Sequence, residues 1–596
     1  MAGTEKKKDK REGRKRKRTK GKDRKKMDIK GRDWNVTPGD SPQLAFYVRK
    51  MLERYREEKG VCFLLEPGKY HFYPDYAYEK MLCIPNHEED TVKRIVFDLS
   101  GYEKLHIKGE GAEFIFHGDC IPFYLCGCKE VVLEGLQVDY ERPGYSQGII
   151  QKVEERRMEI SVDREQFPYY VKGGRVYFCG ESDCRELERW LEMDKETKAP
   201  AKGLGDREFN LKDGGVNAVY RETAYGMLEI SIPDGEEGFS AASHPGNALI
   251  LRHHPRNCPA FYMENSQNVT LRQVKIFHAL AMGVIGWRSE NISLEEVSVK
   301  RREEKGHIFT TEADAFHFVC CRGWILVKGC LCENQLDDAL NVHGIYGRVK
   351  QVEEDGSFLL ELAHGQQKGV ELLRAGETFQ CLETEHMESF AEGKVKRAER
   401  LNKDYIEVFP QEAVPGLKAG HVVENLDWRP KVTVEGCVFR NNRARGLLCT
   451  GIGQAWIKGN TFQTPGAGIL IEGDANEWFE SGSAQHIVIE DNLFDGCAYI
   501  RGWGKAPIQI TPRVASPLEG KHFHKKIEIK GNVFRRAHPQ ALRAYQVGEL
   551  VWKGNRIEDK EDYQDTGEPV FCVEHVGVWE KDGMEGRQES LRHTQG

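Results

Sequence analysis

A short apolar, β-branched strand that ends in Gly-Asn or Gly-Cys, with an aromatic or aliphatic residue two positions later, recurs along this chain. Val434-Glu-Gly436-Cys437-Val-Phe439, Ile457-Lys-Gly459-Asn460-Thr-Phe462, Ile489-Glu-Asp491-Asn492-Leu-Phe494, Ile529-Lys-Gly531-Asn532-Val-Phe534 and Trp552-Lys-Gly554-Asn555-Arg-Ile557 are successive copies. Gly436 to Gly459 and Gly531 to Gly554 are 23 residues each, and the intervals of 32 and 40 between them read as loops inserted into similar coils. Leu271 and Leu294 keep the step upstream, Val327-Lys-Gly329-Cys330 continues it, and Ile107-Lys-Gly109 and Val131-Val-Leu133-Glu-Gly135 carry it toward the amino terminus. One such unit cannot bury its own apolar face, so copies must stack into a solenoid. The asparagines are expected to form a ladder, because Asn tolerates the left-handed turn and bonds to its copy in the next coil. A leucine-rich repeat would be denser in Leu, and a propeller blade would need about 40 residues. The expected fold is all-β, a right-handed parallel β-helix.

Two stretches interrupt the period, residues 144–262 and 345–430. They open alike, with Gly148-Ile-Ile-Gln-Lys-Val-Glu-Glu and Gly347-Arg-Val-Lys-Gln-Val-Glu-Glu, and continue with alternating strands at Met158-Glu-Ile-Ser-Val162 and Phe358-Leu-Leu-Glu-Leu362. They read as two related inserted β domains, small and barrel-like; the alternative is a pair of decorated loops. The expected organisation is therefore a tail over 1–26, a cap helix and first coils over 27–143, an insertion over 144–262, coils over 263–344, a second insertion over 345–430, and coils with a C-terminal segment over 431–596. Ser41-Pro42, apolar residues at Leu44, Val48, Met51, Leu52 and Tyr55, and Gly60 predict a helix that covers the open end of the solenoid.

Composition narrows the class. No run of 18 apolar residues is present, which excludes a membrane-spanning helix. The 17 cysteines are scattered over strand positions such as Cys320, Cys321, Cys330, Cys332 and Cys437. Cys126-Gly-Cys128 and Cys330-Leu-Cys332 lack a second ligand pair at zinc spacing, so no metal and no cofactor is expected. Buried free thiols fit better and point to a reducing compartment. Residues 1–26 hold 15 Lys or Arg against four Asp or Glu, a net +11 that leaves −18 on the rest of a chain of net −7. The tail has no apolar segment of a secretory signal, which with the thiols gives a cytoplasmic expectation. It also has no aromatic residues to stack on bases, so a nucleic-acid partner is not expected. It reads as an extension without a specific role, and Met27 is a candidate true start. A homo-oligomer is compatible with the chain.

The chemistry concentrates in Glu312-Ala-Asp314-Ala-Phe-His317-Phe and Gln335-Leu-Asp337-Asp338-Ala-Leu-Asn341-Val-His343-Gly344, whose Asp314 and Asp337 are 23 residues apart. If one period is one coil, Asp314 and Asp337 are stacked neighbours on one wall, as a glycoside hydrolase requires of its paired carboxyls. Stacked coils put equivalent atoms about 4.8 Å apart, and diverging side chains widen that, so stacking permits a retaining or an inverting site. Asp337 and Asp338 alternate on a regular strand; both reach one cleft only from a corner or bulge. Crowded carboxylates would raise the pKa of one of them and supply an acid. Turn capping is the alternative for an Asp-Asp pair at a coil corner.

Together with Gly473-Asp-Ala-Asn-Glu-Trp-Phe-Glu-Ser-Gly482, these blocks resemble glycoside hydrolase family 110, the bacterial α-1,3-galactosidases, from about Asp40 to Ile557. The resemblance implies exo-cleavage of terminal α-1,3-linked galactose, on blood group B type or linear α-galactosyl glycans, with inversion. It implies Asp337 as the general acid and Asp314 and Asp338 as the carboxylates that activate water. Many relatives look exported, whereas no export signal is read here. Sugar-binding candidates are His317 and His343, for hydroxyls; Trp478, for stacking on galactose; Glu472, Asp474 and Glu480, as acceptors; and Arg443 and Arg445, which position the sugar or pair with the acids. Packed histidines and solvated arginines are the ordinary alternatives. A polygalacturonase-like hydrolase or pectin lyase on the same fold would carry basic residues for uronates, or an acidic calcium site, and a non-catalytic glycan-binding protein would not need spaced carboxylates.

Overall fold

The computed structural model describes residues 27–87, 91–210, 215–582 and 584–586; the basic tail lies outside the described residues. The coils stack as a parallel β-helix whose strands form one 35-stranded assembly. One wall runs in unbroken parallel register from Phe123 through Phe261, Val284, Phe316, Leu340, Leu447, Ile469, Ile508 and Leu542 to Phe571. The repeat's signature residues do the stacking. Phe439, Phe462, Phe494 and Phe534 pile up inside the coils with successive centroids 5.3, 5.0 and 4.8 Å apart.

The asparagine ladder is present: Nδ2 of Asn460 donates to Oδ1 of Asn492 at 2.9 Å, Asn492 to Asn532 at 3.0 Å, and Asn532 to Asn555 at 2.9 Å. Its turn geometry differs from the expectation. The left-handed residue is the one before each asparagine, Gly459 at φ 65°, Asp491 at 54°, Gly531 at 63° and Gly554 at 63°. The asparagine side chain is thereby turned inward, where burial makes its amide bonds obligatory.

The N-terminal helix spans Leu44–Tyr55 and buries Leu44, Ala45, Val48, Met51 and Leu52. It starts two residues later than Pro42 at its first turn would require, because the carbonyl and hydroxyl of Ser41 instead accept from the N–H groups of Leu44 and Gln43. Tyr102 of the first coils donates to the carbonyl of Leu52 at 2.6 Å and ties the helix to the solenoid.

The insertions leave the solenoid on either side of the coils that carry the acids. The second, from Gly347–Val352 to Val422–Asn425, is a closed six-stranded barrel. The first is a seven-stranded antiparallel sheet whose edge strands, Arg207–Glu208 and Val219–Ala224, are drawn together by a bridge between Phe209 and Val216. Their similar openings fold alike. Each first hairpin slips register after the second residue beyond its glycine, at Ile150 and at Val349. The coil thiols are free and mostly buried, while Cys179 and Cys184 form a disulfide in the first insertion. None of the helices among the described residues is long and apolar enough to cross a membrane.

Candidate active site

Asp314 lies in the corner before strand Phe316–Val319, and Asp337 and Asp338 lie in the corner before Leu340–Ile345. Phe316 pairs with Leu340, an offset of 24 residues, and the expected stacking of Asp314 on Asp337 gives way to Asp314 on Asp338. The N–H of Asp338 donates to Oδ1 of Asp314 at 3.0 Å. The next coil continues the column with Arg445, whose backbone N–H and Nε donate to Oδ1 of Asp338 at 3.0 and 2.9 Å. One extra residue in the corner lets Asp337 turn sideways, where Arg256 donates at 2.6 Å and Arg443 at 3.0 Å. The three acids each offer an oxygen within 4.8 Å of the others. Arg256, Arg443 and Arg445 supply the compensating positive charge.

The acids form the floor of a cleft of about 660 Å³, walled by His317, Asn341, Glu472, Asp474, Trp478 and Glu480 among others. Beside it lies an outer chamber of about 760 Å³ lined by Tyr145, Glu188, Arg189, Arg252 and Arg443. Arg256, Asp337, Gln366, Arg445 and Trp478 line both and so form the neck between them. The roof comes from far away in sequence: the N–H of Asn86 donates to the carbonyl of Gln366 at 2.7 Å, joining a first-coil loop to the barrel, and Gln367 holds the carbonyl of Trp478 at 2.8 Å.

Burial and the charge on Asp337 push Asp314 up to about 8. Burial raises Asp338 to about 6, with Arg445 opposing and the neighbouring acids adding. Burial alone would raise Asp337 too, but Arg443, Arg256 and Arg445 outweigh it and hold its carboxyl well below the usual range. Among the three acids these effects favour a proton on Asp314 and an ionised Asp337.

Family models match both insertions, GLAA-B beta-barrel domain I over residues 146–249 and GLAA-B beta-barrel domain II over residues 357–423. Alpha-1,3-galactosidase B of Bacteroides thetaiotaomicron is 30% identical over 538 residues, covering 89% of this chain and 86% of its own length. The chain belongs to the α-1,3-galactosidase family, glycoside hydrolase family 110. Alpha-1,3-galactosidase A of Shewanella woodyi is 28% identical, with 91% of this chain and 88% of its own length covered. Among solved structures, the A-module of a mannuronan C-5 epimerase from Azotobacter vinelandii aligns over 93% of this chain and 98% of its own, with 9% identity and a TM-score of 0.35.

Several residues that the sequence offered as sugar ligands have other work in this α-1,3-galactosidase family member. His343 does not reach the cleft; its ring lies between the carbonyl of Gly344 at 2.7 Å and His317 at 2.9 Å. His317 lines the cleft, but both its nitrogens are engaged, Nδ1 with Asp314 at 2.5 Å and Nε2 with His343. Asp474 accepts from the N–H groups of Asn476, Glu477 and Trp478 and so builds the loop rather than offering free lone pairs. Glu472 pairs with Arg513 at 3.2 Å. Arg443 lies in the outer chamber, shared between Asp337 and Asp206. Arg445, Glu480 and Trp478 do face the cleft, with Trp478 43% exposed. Burial raises Glu480 to about 8.

Asn86, Arg256, Gln366 and Arg513 line the cleft without any signal in the repeat, since each reaches it from a loop or an insertion. Asn341 alone was within reach, because it stacks on His317 inside the acidic block.

Proposed function

We propose that this protein is an exo-acting, inverting α-1,3-galactosidase that releases terminal α-1,3-linked galactose from blood group B type or linear α-galactosyl glycans. The carrying observation is the neck: Asp337 stands where a roofed inner cleft meets an outer chamber, with Asp338 and Asp314 on the inner side alone. A donor to the glycosidic oxygen must lie at such a junction, and the group that deprotonates water must lie across the galactose from it.

Asp338 fits the base. Both Arg445 bonds land on its Oδ1, leaving Oδ2 for water, and it is ionised near neutrality. Asp314 has both oxygens committed, to His317 and to the Asp338 N–H, and supports that base. Asp337 as the acid has the position but is ionised in the free protein. The aglycone entering the outer chamber would draw Arg256 and Arg443 onto its hydroxyls and shield the carboxyl from water, both of which raise its pKa. The acids stand closer than the 6.5 to 9.5 Å usual between inverting carboxyls, so inversion is carried by the family and not by spacing. Trp478, exposed at the neck, offers its face to the apolar side of galactose.

The test is incubation with a fucosylated α-1,3-galactosyl trisaccharide and its linear counterpart, followed by proton NMR. First appearance of β-galactose supports the proposal, α-galactose overturns inversion, and no release from folded protein overturns the activity. A polygalacturonase-like reading finds little support among the relatives, which are named alpha-1,3-galactosidases.

A further inference from the structure

We propose that His317 and His343 are positioning residues, forming a one-way chain of hydrogen-bond donors that keeps a proton on Asp314 and leaves Asp338 as the ionised member of the stacked pair. The direction is set from the far end. Nδ1 of His343 is 2.7 Å from the carbonyl oxygen of Gly344, which only accepts, so Nδ1 carries the hydrogen. In a neutral ring Nε2 is then an acceptor. Nε2 of His317 lies 2.9 Å from it and must donate. That makes Nδ1 of His317 an acceptor, 2.5 Å from Oδ2 of Asp314. Two acceptors do not bond, so the hydrogen between them belongs to Asp314. The other oxygen of Asp314 is filled by the N–H of Asp338 at 3.0 Å, which a neutral carboxyl accepts equally well.

Any other arrangement needs an imidazolium at His317 or His343, and both rings are buried. The charged groups around the chain do not rescue one. Asp337 and Asp338 favour a cation at His317, yet Arg256 opposes it, and burial pushes the ring down to about 4. His343 faces Glu480 at 3.6 Å and His364; burial neutralises Glu480, and His343 itself is driven low. Arg445 and Arg256 face Asp314, and Asp337 raises it. Like charges on stacked Asp314 and Asp338 would compete for one proton. The histidine chain settles that competition in favour of Asp314 and so selects Asp338 to take the proton from water. This role rests on the proposed reaction, while the hydrogen positions do not.

The experiment uses the full chain labelled with ¹⁵N-histidine, with two-bond ¹⁵N–¹H correlations read at pH 7 and assigned from His317→Gln and His343→Gln. His317 is expected as the neutral Nε2–H tautomer and His343 as the neutral Nδ1–H tautomer; an imidazolium at either overturns the proposal. In His343→Leu no acceptor remains for Nε2–H of His317, which should switch to Nδ1–H, ionise Asp314, raise Asp338 and move the Asp338 limb of kcat/KM on an α-1,3-galactosyl disaccharide upward by roughly one pH unit, the spread neighbouring groups usually impose. An unmoved limb in a folded variant also overturns the proposal, and if the variant does not fold the wild-type tautomers decide. Expected tautomers without galactose release would remove the proposed reaction and leave the hydrogen-bond chain standing.

Discussion

The N–H of Asp338 donates to Oδ1 of Asp314 at 3.0 Å across one coil, while Asp337, its neighbour in sequence, points away to Arg256 and Arg443. Two adjacent carboxylates therefore face different partners, Asp338 toward Arg445 and Asp337 toward Arg256 and Arg443. The corner between Leu331–Glu333 and Leu340–Ile345 makes this feasible, since a regular strand would have buried one of them in the core.

Asp338→Asn removes the base without changing size, and kcat should fall by about 10² to 10⁴ with KM little altered. Steady-state kinetics on the linear disaccharide read it. Retained turnover would transfer the role to Asp314.

Asp337→Asn should abolish turnover of the disaccharide while binding persists, as measured by calorimetry. An aryl α-galactoside whose leaving group needs no proton should be hydrolysed by the variant at a much smaller loss. Equal losses on both substrates would mean that Asp337 does not donate the proton.

The pH profile has a signed expectation. Turnover needs Asp338 ionised and Asp337 protonated, and because Asp337 is held low in the free protein kcat/KM should be level just below about 6 and fall as pH rises through it. Asp337 must be protonated in the complex but is held low in the free protein, so the basic limb of kcat should lie at higher pH than that of kcat/KM. Coincident basic limbs would contradict the exchange of its arginine partners on binding.

Trp478→Ala should raise KM about tenfold on loss of roughly 1.4 kcal/mol of ring contact, with a smaller change in kcat. An unchanged KM would place galactose elsewhere in the cleft.

Asn492→Ala breaks the ladder at its middle. It leaves the buried N–H and amide of Asn460 without the Asn492 acceptor, at about 1–3 kcal/mol per orphaned group. Hydrogen exchange at Asn460 and neighbouring coils should accelerate, and the denaturation midpoint should drop. Unchanged exchange would show that water replaces the missing amide.

The sequence by itself determined the solenoid and the site's carboxylates. A buried coil needs an apolar strand, a turn residue free to adopt a left-handed conformation and a stacking ring at every pass, so Gly459-Asn460 and Phe462 had to recur in register. The acids were legible for the same reason, as polar residues placed where the pattern demanded a wall. Which acid stacks on which was decided only in three dimensions, because the corner before Leu340 makes the coil offset 24, one more than the 23 residues between Val432 and Ala455. The arginines that divide the three carboxylates into ionised and protonated forms come from the exit of one insertion and from the following coil, at Arg256, Arg443 and Arg445. Asn86 and Gln366 close the roof from segments 280 residues apart. A periodic sequence specifies its nearest-neighbour contacts because each coil touches the next; protonation, roof and neck depend on non-repeating loops that meet through space, and only the folded chain brings them together.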